Sequence, residues 1–290
     1  MPATATLEST RLTEAQKARF ERDGCLAPIR VLDDAEISRY LGLYNDYVAR
    51  NRSRLDALPP NKRHHIFSET HFVMKWAFEI ASHPRVLDAV ESLIGPNILA
   101  WNTNWFSKPP GDKIYVSYHQ DGTYWKMIGP AVVTAWVALM PSVETNGGLR
   151  VVPGSHTKPM LPQRDTYAKD NALSRGQEIA VDIDEAKAIT LALQPGEMSI
   201  HHIWIIHGSQ ANTSNVPRIG IAIRYVSTAT KQESPNKPLA ILVRGKDDYG
   251  NFELVPRPTV DVCDDKVHDA LVDRIRNSIM QGAVKAPAKA

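Results

Sequence analysis

The segment 115–125, YVSYHQDGTYW, sets His119 and Asp121 two residues apart at the end of an apolar, β-prone run. On a strand both side chains leave the same face. An imidazole and a carboxylate so placed can share one metal ion. They supply two of the three donors of a 2-His-1-carboxylate facial triad, which leaves coordination positions open on Fe(II). The third donor must be a distant histidine. His207 fits best, because it follows a second apolar run, MSIHHIWII, and opens the segment HGSQANTSNVPRIGIAIRYV. His201 and His202 compete for that role, but only His207 precedes a Gly-Ser pair and stands eleven residues before an arginine, Arg218. A planar, permanently charged guanidinium can take a carboxylate through two parallel hydrogen bonds. With Arg218 pointing inward from its strand, Gly220, Ala222 and Arg224 share its face, and Ile219, Ile221 and Ile223 turn away.

Composition limits what surrounds these residues. A chain of 290 residues that is 43% hydrophobic can bury the core of one large domain. Lysine and arginine total 34 against 32 acidic residues, a balance without the basic stripe that nucleic-acid binding requires. No apolar run reaches the roughly 20 residues of a membrane span, and MPATATLEST lacks the layout of a signal peptide. The expectation is a soluble, cytoplasmic protein with a small-molecule substrate and neither nucleic acid nor membrane as partner, its oligomeric state left open. Cys25 and Cys263 lie far apart and in no CxxC pattern, which disfavours a disulfide scaffold or a thiolate zinc site.

The order of elements gives a fold class: mainly β with flanking helices around a double-stranded β-helix (jelly roll, cupin-like) core. Residues 1–10 are expected to be disordered. Residues 11–281 form one domain, made of a helical flank over 11–95, a jelly-roll core over 97–229, and a C-terminal loop and helix over 230–281. Residues 282–290 form a mobile tail. In the flank, Thr13 with Gln16 and Asp33 with Glu36 are capping boxes, Pro84 starts a helix that Gly95 ends, and NRSRLDALPPNKRHH is a loop. HFVMKWAFEIA reads as a further helix. Strands are expected in CLAPIRV, ILAWNTNWFSK, KIYVSYHQ, AVVTAWVALM, GLRVVPG, QEIAVDI, AITLALQ, EMSIHH and RIGIAIRYV. A last helix carries Val267, Leu271, Ile275 and Ile279 on one stripe.

Five segments in this order, YHQDGTYW, VVTAWVAL, NGGLRVVPGSH, PGEMSIHH and HGSQANTSNVPRIGIAIRYV, resemble the phytanoyl-CoA dioxygenase family of Fe(II)- and 2-oxoglutarate-dependent oxygenases, from about Leu12 to Ala229. The resemblance implies His119, Asp121 and His207 as iron ligands. It implies Arg218 as the partner of the far carboxylate of 2-oxoglutarate, joined by Ser209. It also implies a reaction that consumes O2, releases succinate and CO2, and hydroxylates an unactivated carbon of a small molecule. Desaturation, epimerisation or ring formation would use the same ligands. Halogenating relatives replace the carboxylate ligand by a small residue, so Asp121 disfavours halogenation. A metal- or ligand-binding β-barrel without turnover is the alternative from another class.

Substrate-binding candidates are Trp136, Trp125, Tyr124, Arg224, Asn104 and His71. Four of them have a plainer reading: Trp136 as core packing, Tyr124 and Trp125 as packing under the next loop, His71 as a structural histidine. The long connection from Thr157 to about Gly176 reads as a lid bringing Arg164 or Arg175 toward the substrate.

Overall fold

The computed structural model describes residues 9–129, 132–173, 175–234 and 236–282. The expected disorder of the first eight residues and mobility of residues 283–290 lie outside these. Ser9 and Thr10 are pinned, Ser9 Oγ donating to Asp88 at 3.0 Å and the Thr10 hydroxyl to the Arg85 carbonyl.

The helices are α1 (Glu14–Asp23), α2 (Asp34–Arg50), α3 (Arg52–Ala57), α4 (Lys75–Ala81), α5 (Pro84–Ile94), α6 (Gly122–Trp125) and α7 (Asp265–Gly282). Both expected capping boxes are formed, and Gly24 closes α1 in the left-handed conformation at φ 75°, which glycine adopts without steric cost. Two expectations in the flank change. The stretch read as a loop folds into α3 and a 3-10 turn over Pro60–His65, because Arg52 pairs with Asp56 one turn on and Leu55 is buried. HFVMKWAFEIA is helical only from Lys75, after a 3-10 turn over Thr70–Phe72 that follows Glu69 at φ 57°.

The strands run β1 (Cys25–Arg30), β2 (Ile98–Lys108), β3 (Val116–His119), β4 (Met127–Ile128), β5 (Val132–Ala138), β6 (Arg150–Val152), β7 (Gln163–Asp165) and β8 (Gln177–Ile179). They continue as β9 (Ile189–Thr190), β10 (Glu197–His202), β11 (Ile206–Ser209), β12 (Arg218–Ser227), β13 (Lys231–Gln232), β14 (Leu239–Arg244) and β15 (Glu253–Leu254). A seven-stranded sheet in the order β1-β10-β5-β12-β2-β14-β15 and a four-stranded sheet in the order β3-β11-β6-β9 make up the jelly roll. The large sheet therefore continues past residue 229: in β14, read as part of a C-terminal loop, Ile241 pairs with Ala100 of β2. The lid segment also has strand structure of its own, β7 pairing with β8.

The two faces of the large sheet differ in chemistry. Outward, Ile219, Ile221, Ile223 and Tyr225 of β12 pack with Val133, Ala135 and Val137 of β5 against Tyr44, Trp76, Ile80 and Val86 of the helices. Each such fully buried aliphatic side chain contributes about 1.5–3 kcal/mol, so this layer fixes which way β12 faces. The alternate residues Arg218, Ala222 and Arg224 then turn toward the four-stranded sheet and line a cavity of about 240 Å3.

Candidate active site

The register of β3 and β11 builds the metal centre. His119 and His207 are direct cross-strand partners, with ring centroids 4.2 Å apart. Asp121 sits at the turn into α6, its Oδ1 3.4 Å from His119 Nε2 and its Oδ2 3.8 Å from His207 Nε2. All three donor atoms lie within 4.8 Å of one another, and all three residues are buried. Each imidazole is oriented from behind: His119 Nδ1 donates to the Ser117 carbonyl at 2.9 Å and His207 Nδ1 to the Ile205 carbonyl at 3.1 Å. That tautomer leaves both Nε2 lone pairs free for a metal.

Burial alone would push the Asp121 carboxyl up, but His207, His119 and Arg224 hold it well below the usual carboxylate range. Burial brings His207 down to about 4, so the imidazole is neutral, as a ligand must be. Asp121 Oδ2 is buried without a hydrogen-bond partner among the described residues. A buried orphan carboxylate oxygen is costly, and a cation bound between it and the two Nε2 atoms would satisfy it. The donor set fits iron.

At the start of β12, Arg218 is 3% exposed and its Nε has no hydrogen-bond partner among the described residues. One Nη donates to the Gly147 carbonyl. Burial draws its pKa down to about 10, with Asp112 opposing, so the guanidinium stays charged. Trp136 lies under it at 5.6 Å, and Gly220 makes room for that indole, since a Cβ there would overlap the ring. Ser209 Oγ accepts from Lys108 Nζ at 2.7 Å. Lys108 is buried, and desolvation together with Arg218 draws its pKa down to about 6.

Among the expected substrate residues, Trp136, Trp125, Tyr124, Arg224 and Asn104 line the cavity. His71 does not: it is wholly enclosed behind Glu69, with Nδ1 2.8 Å from Thr103 Oγ1, which agrees with the structural reading. Of the two lid arginines, Arg175 reaches the cavity wall above Tyr124, with 5.4 Å from guanidinium to ring. Arg164 turns outward to Glu178. The lid is tied to the metal strand, for Asn171 Nδ2 donates to Ser117 Oγ at 2.8 Å. Helix α7 is also part of the site. Val272 and Ile275 are buried and line the cavity, His268 Nε2 lies 2.7 Å from the Ser68 carbonyl, and Val267, placed on the buried stripe from the sequence, is exposed.

Glu69, Thr134 and His201 also reach the cavity wall. Alternation along β5 could have flagged Thr134, a polar position between the apolar Val133 and Ala135. Glu69 had no such signal, because it sits in an irregular turn in the left-handed region at φ 57°.

The family profile described as phytanoyl-CoA dioxygenase (PhyH) matches residues 20–220. The chain belongs to the phytanoyl-CoA dioxygenase family. It is 27% identical over 239 residues to the human peroxisomal phytanoyl-CoA dioxygenase, covering 77% of this chain and 70% of the relative. The ectoine dioxygenase of Streptomyces avermitilis is 24% identical over 263 residues, 84% of this chain and 88% of that protein. The solved structure of the non-heme monooxygenase ThoJ in its apo form superposes with a TM-score of 0.78 at 33% identity, covering 92% of this chain and 98% of that one. As a PhyH-family oxygenase the protein uses iron, 2-oxoglutarate and O2. Among the described residues no helix is long and apolar enough to cross a membrane.

Proposed function

We propose that this PhyH-family oxygenase hydroxylates an unactivated carbon of a small molecule, with His119, Asp121 and His207 holding Fe(II) and Arg218 holding the distal carboxylate of 2-oxoglutarate. The observation that carries the reading is the pairing of two unmet electrostatic demands in one cavity. A carboxylate oxygen without a donor faces two free imidazole nitrogens, and a buried guanidinium further along β12 has an unpaired N–H. A metal answers the first and a dicarboxylate co-substrate the second.

Iron with 2-oxoglutarate, once bound, supplies the oxidising chemistry, with succinate and CO2 as co-products. The chain's own residues do the rest. Ser117 and Ile205 fix the imidazole tautomers, Arg218 and Ser209 orient the co-substrate, and Trp136 forms the floor between them. The lid hairpin and α7 exclude water from the cavity. Succinate formation by iron-loaded protein with 2-oxoglutarate and ascorbate tests the reading, run without substrate and then with pooled small-molecule metabolites whose products are followed by mass. The expected result is a background that rises with one pool and a product heavier by one oxygen atom. Bound iron with no succinate under any condition would move the protein to the class of binding modules. Retained turnover in His119→Ala would remove His119 from the metal site.

A further inference from the structure

The inner wall of the cavity carries a polar rung that crosses four strands of the large sheet. His201 on β10 stands opposite Thr134 on β5, Thr134 opposite Arg224 on β12, and Arg224 opposite Asn102 on β2. All four side chains line the cavity, and Asn102 extends the row by donating to the Glu69 carboxyl. Polar groups buried in this way are costly unless they are satisfied. Here satisfaction is incomplete. Arg224 Nη1 donates to Asn102 Oδ1 at 3.1 Å, but Arg224 Nε, Thr134 Oγ1 and both ring nitrogens of His201 have no partner among the described residues. Each of these three residues is more than nine-tenths buried.

The charge on Arg224 is also incompletely met. Burial keeps the Glu69 carboxyl protonated up to about 8, and Asp121 is committed to the metal. Arg224 acts electrostatically on Asp121 and His207, so it lies beside the metal centre. Arg218 stands six residues earlier on the same face, about 20 Å away along the backbone at ~3.3 Å per residue, so the carboxylate it would hold is not the one that meets Arg224. The guanidinium of Arg224 lies against the rings of Trp125 at 5.5 Å and Phe106 at 5.9 Å, which leaves its N–H edge for an in-plane ligand. A planar fork of donors matches a carboxylate.

We propose that the primary substrate carries a carboxylate that docks on Arg224, with Thr134 and His201 bonding polar atoms beside it and an apolar body lying against Trp125, Leu173, Val272 and Ile275. This deepens the oxygenase reading and rests on it for the word substrate. The site itself is tested separately, by binding.

Protein loaded with Fe(II) and saturating 2-oxoglutarate without oxygen, so that Arg218 is filled, is titrated calorimetrically with octanoate, phenylacetate and indole-3-acetate, and with the primary amide of each. At least one acid should bind ten-fold or more tighter than its amide. Arg224→Gln should erase that preference, a loss of about ten- to a hundred-fold, as expected for a hydrogen bond to a charged group. Arg224→Lys, which keeps the charge without the fork, should restore part of it. If Arg224→Gln does not keep its fold by circular dichroism, Thr134→Val is read instead and should weaken the acid several-fold. Equal binding of acids and amides by the wild type, or an unchanged preference in Arg224→Gln (or unchanged acid binding in Thr134→Val where that is the variant read), overturns the site. A parallel aerobic assay keeps the two readings apart. Acid binding without succinate formation removes the oxygenase reading and leaves the carboxylate site standing, whereas succinate formation without acid preference removes the site alone.

Discussion

His119 and His207 face each other across antiparallel strands with ring centroids 4.2 Å apart, and Asp121 sets one carboxylate oxygen toward each Nε2. The arrangement puts negative charge where two neutral imidazoles alone would hold a divalent ion weakly. Asp121→Asn keeps the volume and removes the charge. Fe(II) affinity should fall at least ~100-fold, since even groups behind metal ligands are worth ~10- to 100-fold. The thermal stabilisation that Ni(II), a redox-inert stand-in, gives the wild type by mass action should disappear. A metal-induced rise in Tm equal to that of the wild type would show that Asp121 is not a ligand.

The floor of the proposed co-substrate site depends on the absence of one carbon. A Cβ at Gly220 would overlap the indole of Trp136, on which Arg218 lies, so Gly220→Ala must displace the ring that supports the guanidinium. Overpacking of this kind costs about 1–3 kcal/mol. Because the displaced ring is the surface on which Arg218 rests, KM for 2-oxoglutarate should rise by more than the loss of stability accounts for. Arg218→Gln provides the scale, with an expected weakening of ten- to a hundred-fold from the loss of ~1.5–3 kcal/mol. A variant Gly220→Ala with unchanged KM would mean that Trp136 is core packing and not part of the site.

The grouping of His119, Asp121 and His207 was legible from the motif and its spacing, although Asp121 stands in the turn into α6 and not on β3, and Arg218 reaches the same cavity from β12 of the other sheet. The capping boxes at Thr13 and Asp33 were legible for a similar reason, each being a purely local interaction. Strand β14 was not, because its apolar run has no local signature beyond composition and becomes a strand only by pairing with β2. The same holds for α7: its buried face is set by contact with Ser68 and the cavity mouth, so Val267 faces solvent while Val272 and Ile275 turn in. Glu69 and His201 became visible as part of one wall only once the register of β10, β5, β12 and β2 was known.

Lys108 and Ser209 make a second prediction about the co-substrate end. Below about pH 6, where it is protonated, the buried Lys108 ammonium bonds Ser209 Oγ and the carbonyls of Ser209 and Gln210. In Ser209→Ala it loses its side-chain acceptor while staying enclosed. Leaving a buried donor short of one partner costs about 1–3 kcal/mol, so the denaturant midpoint should fall accordingly with an unchanged m-value. Replacing the lysine too, in Ser209→Ala with Lys108→Met, removes both partners and should recover most of that loss. A double variant less stable than Ser209→Ala would show that the ammonium contributes through contacts other than the hydroxyl.

Glu69 ties the cavity wall to the pH dependence of folding. Burial raises its pKa from the ordinary 4.5 to about 8, against the Thr103 amide, Arg224 and Asn102, which all favour the ionised form. Below about pH 4.5 the carboxyl is protonated in both folded and unfolded chains, and its contribution to stability is fully present. Between 4.5 and 8 the unfolded chain releases this proton while the native protein retains it, so the unfolded state binds fewer protons and stability falls as pH rises. Glu69→Gln has no proton to lose and keeps a similar shape beside Asn102. Its stability relative to the wild type should therefore improve by up to ~1.4 kcal/mol per pH unit across this window, read from denaturant midpoints at pH 5, 6.5 and 8. Parallel curves for the two proteins would show that Glu69 is ionised in the native state, and Arg224 would then already have its counter-charge within the wall.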